Sequence, residues 1–295
     1  MADYYVFIEE SCFLPLRGIF VNIFWQAPLL AQTTDEVITI EELMKGLSPE
    51  AQTRLRGMIA NAIPDPKDAI RFSGQLTVER VTAFISKHQN TTAKTLIIRS
   101  GGGDAVASIS LANWVLDKQL DVQVDIFCMS GCANYVLAAG KQKRIEPGGA
   151  VIWHGGLKQK NFRDGNHKFR LFERATKALG TAILSPTAKL QFDSDKVFWD
   201  EYVRVRTLEE TFVKRAGINE YIFRMGQEPV NLTDDCWTVD KKIMALMGYK
   251  DVVADDDFGS MKSLMKNIMV ILNCPGNPVA FKLNKAGDFV LDSAD

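Results

Sequence analysis

From residue 69 to residue 154 the chain alternates short apolar runs with amphipathic ones, and this alternation leaves few folds open. Residues 69–73 (AIRFS) are closed by Gly74, 95–99 (TLIIR) run into the glycine turn SGGGD at 100–104, and 122–127 (VQVDIF) lead to a serine turn. Between them, 77–87 place Val78, Val81, Phe84 and Ile85 at helical spacing, and 105–117 do the same with Ile109, Ala112, Val115 and Leu116. Apolar residues three and four apart share a helix face, whereas short continuous apolar runs suit strands buried on both sides. Strand, helix, strand, helix, strand at this spacing predicts an α/β fold with a mostly parallel sheet and right-handed crossovers.

The flanks read differently. Residues 32–68 are polar, with helix-like EELMKGL and AQTRLRGMIANAI ahead of Pro64 and Pro66, which read as a linker. Residues 157–220 are charged and helical, with long segments expected at 169–183 and 196–216. A helix is expected over 237–247, a strand at Val252 and Val253, and short strands at 268–272, 279–283 and 289–291. The expected organisation is a leader at 1–31, a helical lead-in at 32–68, a main domain at 69–258 with a helical insert at 157–220, and a C-terminal β tail at 259–295. In the insert, Phe169, Phe172 and Leu179 supply apolar faces. These suit either contacts with a second copy in a homo-oligomer or packing on the chain's own sheet.

Residues 13–31 (FLPLRGIFVNIFWQAPLLA) are apolar apart from Arg17, Asn22 and Gln26. Arg17, a core at 18–30 and Ala31 match the layout of a secretory signal, which predicts a mature chain from Gln32 in the periplasm or outside the cell. An amphipathic first helix in a cytoplasmic protein is the alternative. The charge balance, 35 basic against 36 acidic residues, speaks against nucleic-acid binding, which rests on clustered positive charge. Five cysteines without a CxxC pair and three histidines make a structural zinc site an unsuitable reading. Cys128 and Cys132 flank the serine turn and read as small buried hydrophobes ahead of a bonded pair; bonding of Cys236 to Cys274 is open.

The chemistry sits in IFCMSGCANYVLAAGKQKRIEPGGAVIWH at 126–154. Ser130 stands where a strand gives way to a helix, which suits either an N-cap or a nucleophile. His154 ends the next apolar run; His88 and His167 do not follow strands. Adjacent parallel strands bring such ends to one edge, where open α/β sheets place their sites. The SGGGD turn ends a strand at that edge. It reads as an oxyanion hole, as a phosphate cradle lacking the usual motif, or as a tight turn.

Residues from about 69 to 156 resemble the Clp protease proteolytic subunit and the wider Clp/crotonase superfamily. The resemblance is carried by IRFSGQL, LIIRSGGGD, MSGCANYVLAAG and VIWH, in that family's order. It implies a ββα spiral with a parallel sheet and a serine hydrolase, specifically a Clp-like peptidase acting on peptide or other acyl substrates. No metal or organic cofactor is implied. By the same resemblance Ser130 matches the nucleophile, His154 the base, and Gly103 and Gly131 the oxyanion donors. The strict register aligns Gly131 with the family serine and would remove the nucleophile. DDCWTVDKKIMALMGYKDVV resembles the family's closing element, with Asp235 as orienting acid and Asp234 or Asn231 as alternatives. The two aspartates equally suit N-caps for a helix starting at Trp237. An inactive binding or assembly module on the same fold is the alternative function.

Overall fold

The computed structural model describes residues 44, 48–60, 66–181, 184–228, 236–267, 274 and 278–292. The expected leader at 1–31, the strand expected at 268–272, and Asn231, Asp234 and Asp235 lie outside these residues. No helix among the described residues is long and apolar enough to cross a membrane.

The fold is α/β. Helix α1 (Pro49–Ala60) precedes a central sheet of β1 (Ala69–Ser73), β2 (Thr95–Ser100), β3 (Asp121–Met129), β4 (Lys143–Ile145) and β7 (Val252–Val253). These strands lie in that order, and every pairing is parallel. Helices α2 (Val78–Lys87) and α3 (Ala105–Lys118) make the crossovers. Each starts on a side-chain cap, Thr77 accepting from Arg80 N–H and Asp104 from Ala107 N–H. In α3, Ile109, Leu111, Ala112 and Val115 are buried with Leu96, Ile98, Val122 and Val124 of the sheet. Each such valine, leucine or isoleucine contributes about 1.5–3 kcal/mol relative to exposure. β4 was not visible in the sequence, because its three residues, KRI, carry two cations.

β3 bends. Its register against β2 slips between the Ile98↔Val124 and Ser100↔Cys128 pairs. Before the slip β3 pairs with β4; after it, Phe127, Cys128 and Met129 pair with β5 (Ala150–Ile152). A slip of this kind re-aims the strand end. Asp125 lies at the slip and accepts from Arg71 at 2.6 Å and from Arg99.

Two helices form a long hairpin, α5 (Lys160–Leu179) and α6 (Pro186–Ala216). Phe169 is buried here and stacks on Phe192 of α6 at 5.8 Å, within the hairpin itself. Phe172 also meets Phe192 but stays half exposed, and Leu179 is exposed.

The helix expected over 237–247 is corrected. Trp237–Val239 is a strand, β6, and the helix that follows, α7 (Lys241–Leu246), begins one residue after its cap, Asp240. Trp237 meets Trp153 in an antiparallel bridge on one side and pairs parallel with β8 (Val279–Leu283) on the other. These ladder bonds and full burial override the helical spacing. A helix therefore does not start at Trp237 for Asp234 or Asp235 to cap. After α8 (Met261–Leu264), β8 and β9 (Phe289–Leu291) close a second sheet in the order β6-β8-β9. The C-terminal strands are thus joined to the molecule through β6.

Candidate active site

β3 ends at Met129 and the chain turns at Ser130, whose φ is 55°. This left-handed conformation costs a non-glycine residue about 1–2 kcal/mol. Two backbone bonds hold it. Ser130 N–H donates to Ile152 O at 3.0 Å, extending the β3–β5 ladder by one bond, and Ser130 C=O accepts from Asn134 N–H at 2.8 Å. The last sheet bond and the first helical bond therefore meet on one residue. The helix that follows is wound as a π-helix over Cys132–Val136 and continues as α4 (Leu137–Ala139).

The capping reading of Ser130 does not hold. The cap position is Gly131, and no side chain caps this helix. Ser130 is largely buried at 8% exposure. Its hydroxyl makes no hydrogen bond among the described residues.

Cys128 and Cys132 form a disulfide with Cα atoms 5.3 Å apart, which corrects their reading as separate apolar fillers. The reversal at Ser130 brings the helix start back towards the strand end, where the two sulfurs meet. The double variant Cys128→Ala/Cys132→Ala is expected to lose about 2 kcal/mol of stability, the scale for a very short closed loop. Urea unfolding of the oxidised protein and the variant measures it. Cys236 and Cys274 are both buried in a smaller apolar cluster with Met129 and Ile152.

The SGGGD turn lies against this elbow. Gly102 has φ 91°, and a Cβ there would stand 2.6 Å from Ser130 Cβ, 2.8 Å from Met129 O and 2.9 Å from Gly131 N. Only glycine fits. Gly102 N–H donates to Ser100 Oγ at 3.0 Å, Leu76 N–H donates to Gly102 O at 2.8 Å, and Asp104 N–H donates to Leu76 O at 2.9 Å. Among the described residues the N–H groups of Gly103 and Gly131 have no acceptor. One of these donors directly follows Ser130, and the other directly follows Gly102, the glycine packed on Ser130. Gly131 is itself confined, since a Cβ on it would strike Ser108 Oγ.

His154 follows β5. The Met129↔Ile152 pairing sends Ser130 and His154 out of the same end of adjacent strands. No hydrogen bond joins Ser130 Oγ to the imidazole. Burial lowers the His154 pKa to about 4, so the ring is neutral, the form a base requires, at physiological pH. The backbone beside it is held by two side-chain amides. Gln227 Nε2 donates to His154 O at 3.0 Å, and Asn134 Nδ2 donates to Gly155 O at 2.9 Å.

Sequence reasoning missed these two amides and one further group. Glu209 of α6 is buried and accepts from Tyr135 OH at 2.6 Å, directly behind the elbow helix. Burial pushes its carboxyl up to about 7. Among the charges of α6 nothing distinguished Glu209 from exposed Glu210. Asn134 did carry a signal: an asparagine amid apolar residues in a helix is poorly placed by propensity alone. No protein-family model and no curated protein matches the chain.

Proposed function

We propose that the chain is a serine hydrolase with a Clp/crotonase-like spiral, acting on peptide or other acyl substrates. The observation that carries this reading is the Ser130 backbone. A buried serine held at φ 55° between a strand and a helix, with its hydroxyl uncommitted, is a strained position with no capping duty. The elbow also supports Ser130 over Gly131 as the nucleophile position, since residue 131 faces Ser108 with no room for a side chain.

In this reading Ser130 Oγ attacks the acyl carbon and His154 accepts its proton. The Gly103 and Gly131 N–H groups hold the developing oxyanion. His154 returns the proton to the leaving group, and water then repeats the steps in reverse to free the acyl product. Asp235 is assigned to orient the imidazole, with Asp234 or Asn231 in its place as alternatives.

A fluorophosphonate probe tests the assignment: it should label the protein, and Ser130→Ala should abolish the label. The second reading, a binding or assembly module, is favoured by the missing Ser130–His154 hydrogen bond. Folded protein that stays unlabelled would select it.

The pH dependence is a separate expectation. Labelling needs neutral His154, so its rate should rise through about pH 4 and be level above pH 6. A midpoint near 6.5 would contradict a buried base. Stability follows the same direction. The folded pKa lies below the unfolded one, so the unfolded chain alone binds a proton at residue 154 between about pH 6.5 and 4. The contribution is present above that window and is lost as pH falls through it.

A further inference from the structure

We infer that Asn134 is a positioning residue that ties the Ser130 elbow to the His154 loop and sets the separation of nucleophile and base. The inference rests on the hydrolase reading for its consequence, but the contact itself is geometric. Asn134 N–H donates to Ser130 O at 2.8 Å, and Asn134 Nδ2 donates to Gly155 O at 2.9 Å. One residue therefore bonds the carbonyl of the proposed nucleophile and the carbonyl next to the proposed base.

The contact has the marks of a positioning device. Asn134 is buried at 3% exposure, and its Oδ1 has no partner among the described residues. A buried amide that leaves its acceptor unmet is costly, so the donated bond is the use the fold makes of this side chain. The recipient segment needs such support. Gly155 has φ 150°, and a Cβ on it would collide with Gln159 Oε1. Gln227 holds the preceding carbonyl at 3.0 Å, so consecutive peptide groups are fixed by amides from two separate elements. Asn134 is the one of the pair that also reaches the serine. The elbow helix is anchored in turn, because Tyr249 OH donates to Ala133 O at 3.0 Å and Tyr135 OH donates to Glu209.

The test uses the full chain with Asn134→Leu and the near-isosteric Asn134→Asp. Two readouts are followed: the rate of fluorophosphonate labelling up to pH 9, and the titration of His154 by NMR of its ring C–H, begun well below its midpoint of about 4. Asn134→Leu should label on the order of a hundredfold more slowly, the scale of a displacement of about 1 Å between reacting groups. Its His154 midpoint should move up towards 6.5 as the loop loosens and the ring regains water. Asn134→Asp should behave differently with pH. The ionised carboxylate cannot donate to Gly155 O, whereas the protonated acid can, and burial raises the pKa of such an acid. Its labelling rate should therefore rise as pH falls from 9 towards 6, where the unsubstituted protein is level. Tyr135 and Tyr249 are kept neutral by burial, and Glu209 titrates in both proteins, so the comparison removes its effect.

Labelling of Asn134→Asp that follows the unsubstituted profile overturns the inference. So does a His154 midpoint that stays near 4 in both variants. If Asn134→Asp loses its near-ultraviolet circular dichroism at every pH, Asn134 is only a packing residue and the inference also falls. If the unsubstituted protein is never labelled, the hydrolase reading fails by itself, and the His154 midpoint alone decides whether Asn134 holds the loop.

Discussion

Ser130→Ala and His154→Ala should each reduce turnover of an acyl substrate by several orders of magnitude, and the double variant should be scarcely slower than either alone. In the proposed hydrolase the two groups act on one proton. Without His154 the Ser130 hydroxyl has no acceptor for its proton, and without Ser130 the imidazole has no nucleophile to activate. Losses at groups that work as a unit do not multiply. In that reading, what remains in every variant is binding together with the proposed Gly103 and Gly131 donors. Steady-state rates of the four proteins, measured at pH 7 where His154 is neutral, decide the matter. Independent, multiplicative losses would rule out a shared step even if each residue proved important.

Trp237→Ala should destabilise the fold by about 3–5 kcal/mol, the range for truncating a buried aromatic. Trp237 is fully buried, and its ring lies against Gly226, where a Cβ would come within 2.6 Å of Cδ2. Its indole N–H donates to Ile222 O at 3.2 Å. Its backbone exchanges two bonds of 2.8 Å with Trp153, one residue before His154, while β6 pairs with β8 in the second sheet. One side chain therefore fills the seam between the sheets. Trp237→Phe keeps a ring but leaves Ile222 C=O unpaired, and about 1–2 kcal/mol is expected there. Urea midpoints of the three proteins give the comparison. Equal midpoints for Trp237→Ala and the unsubstituted chain would mean that the seam does not bear on stability.

The parts of the fold that the sequence disclosed are those with a repeating signal. β1, β2 and β3, with α2 and α3, alternate period and composition, and their ends were readable to within a residue or two. β4 was lost because Lys143 and Arg144 mask it; its pairing is supplied by β3 on one side and β7 on the other. Trp237 to Val239 read as helix because apolar residues continue into α7, and only the facing strands reveal the difference. At the site, the positions of Ser130 and His154 follow from strand order, which is legible. The φ of Ser130 is not, since serine is a poor marker of a left-handed turn. The bond from Asn134 to Gly155 spans 21 residues and depends on how two elements meet. Cys128 and Cys132 stood in view, but their bonding depended on the chain reversing between them.

That reversal has a consequence for the chain when it is not folded. Four residues of extended strand span about 13 Å, whereas the bridged Cα atoms of Cys128 and Cys132 lie 5.3 Å apart. An oxidised chain cannot run straight through residue 130, whether or not its surroundings are formed. The bend is a property of covalent connectivity, and the conformational search for it is confined once the sulfurs have joined. Sheet pairing and core burial have only to bring Gly102, Gly103 and His154 up to a turn that already exists. Denaturant acting on the oxidised protein should consequently separate these neighbours from the serine while the joined sulfurs still keep the chain bent at residue 130.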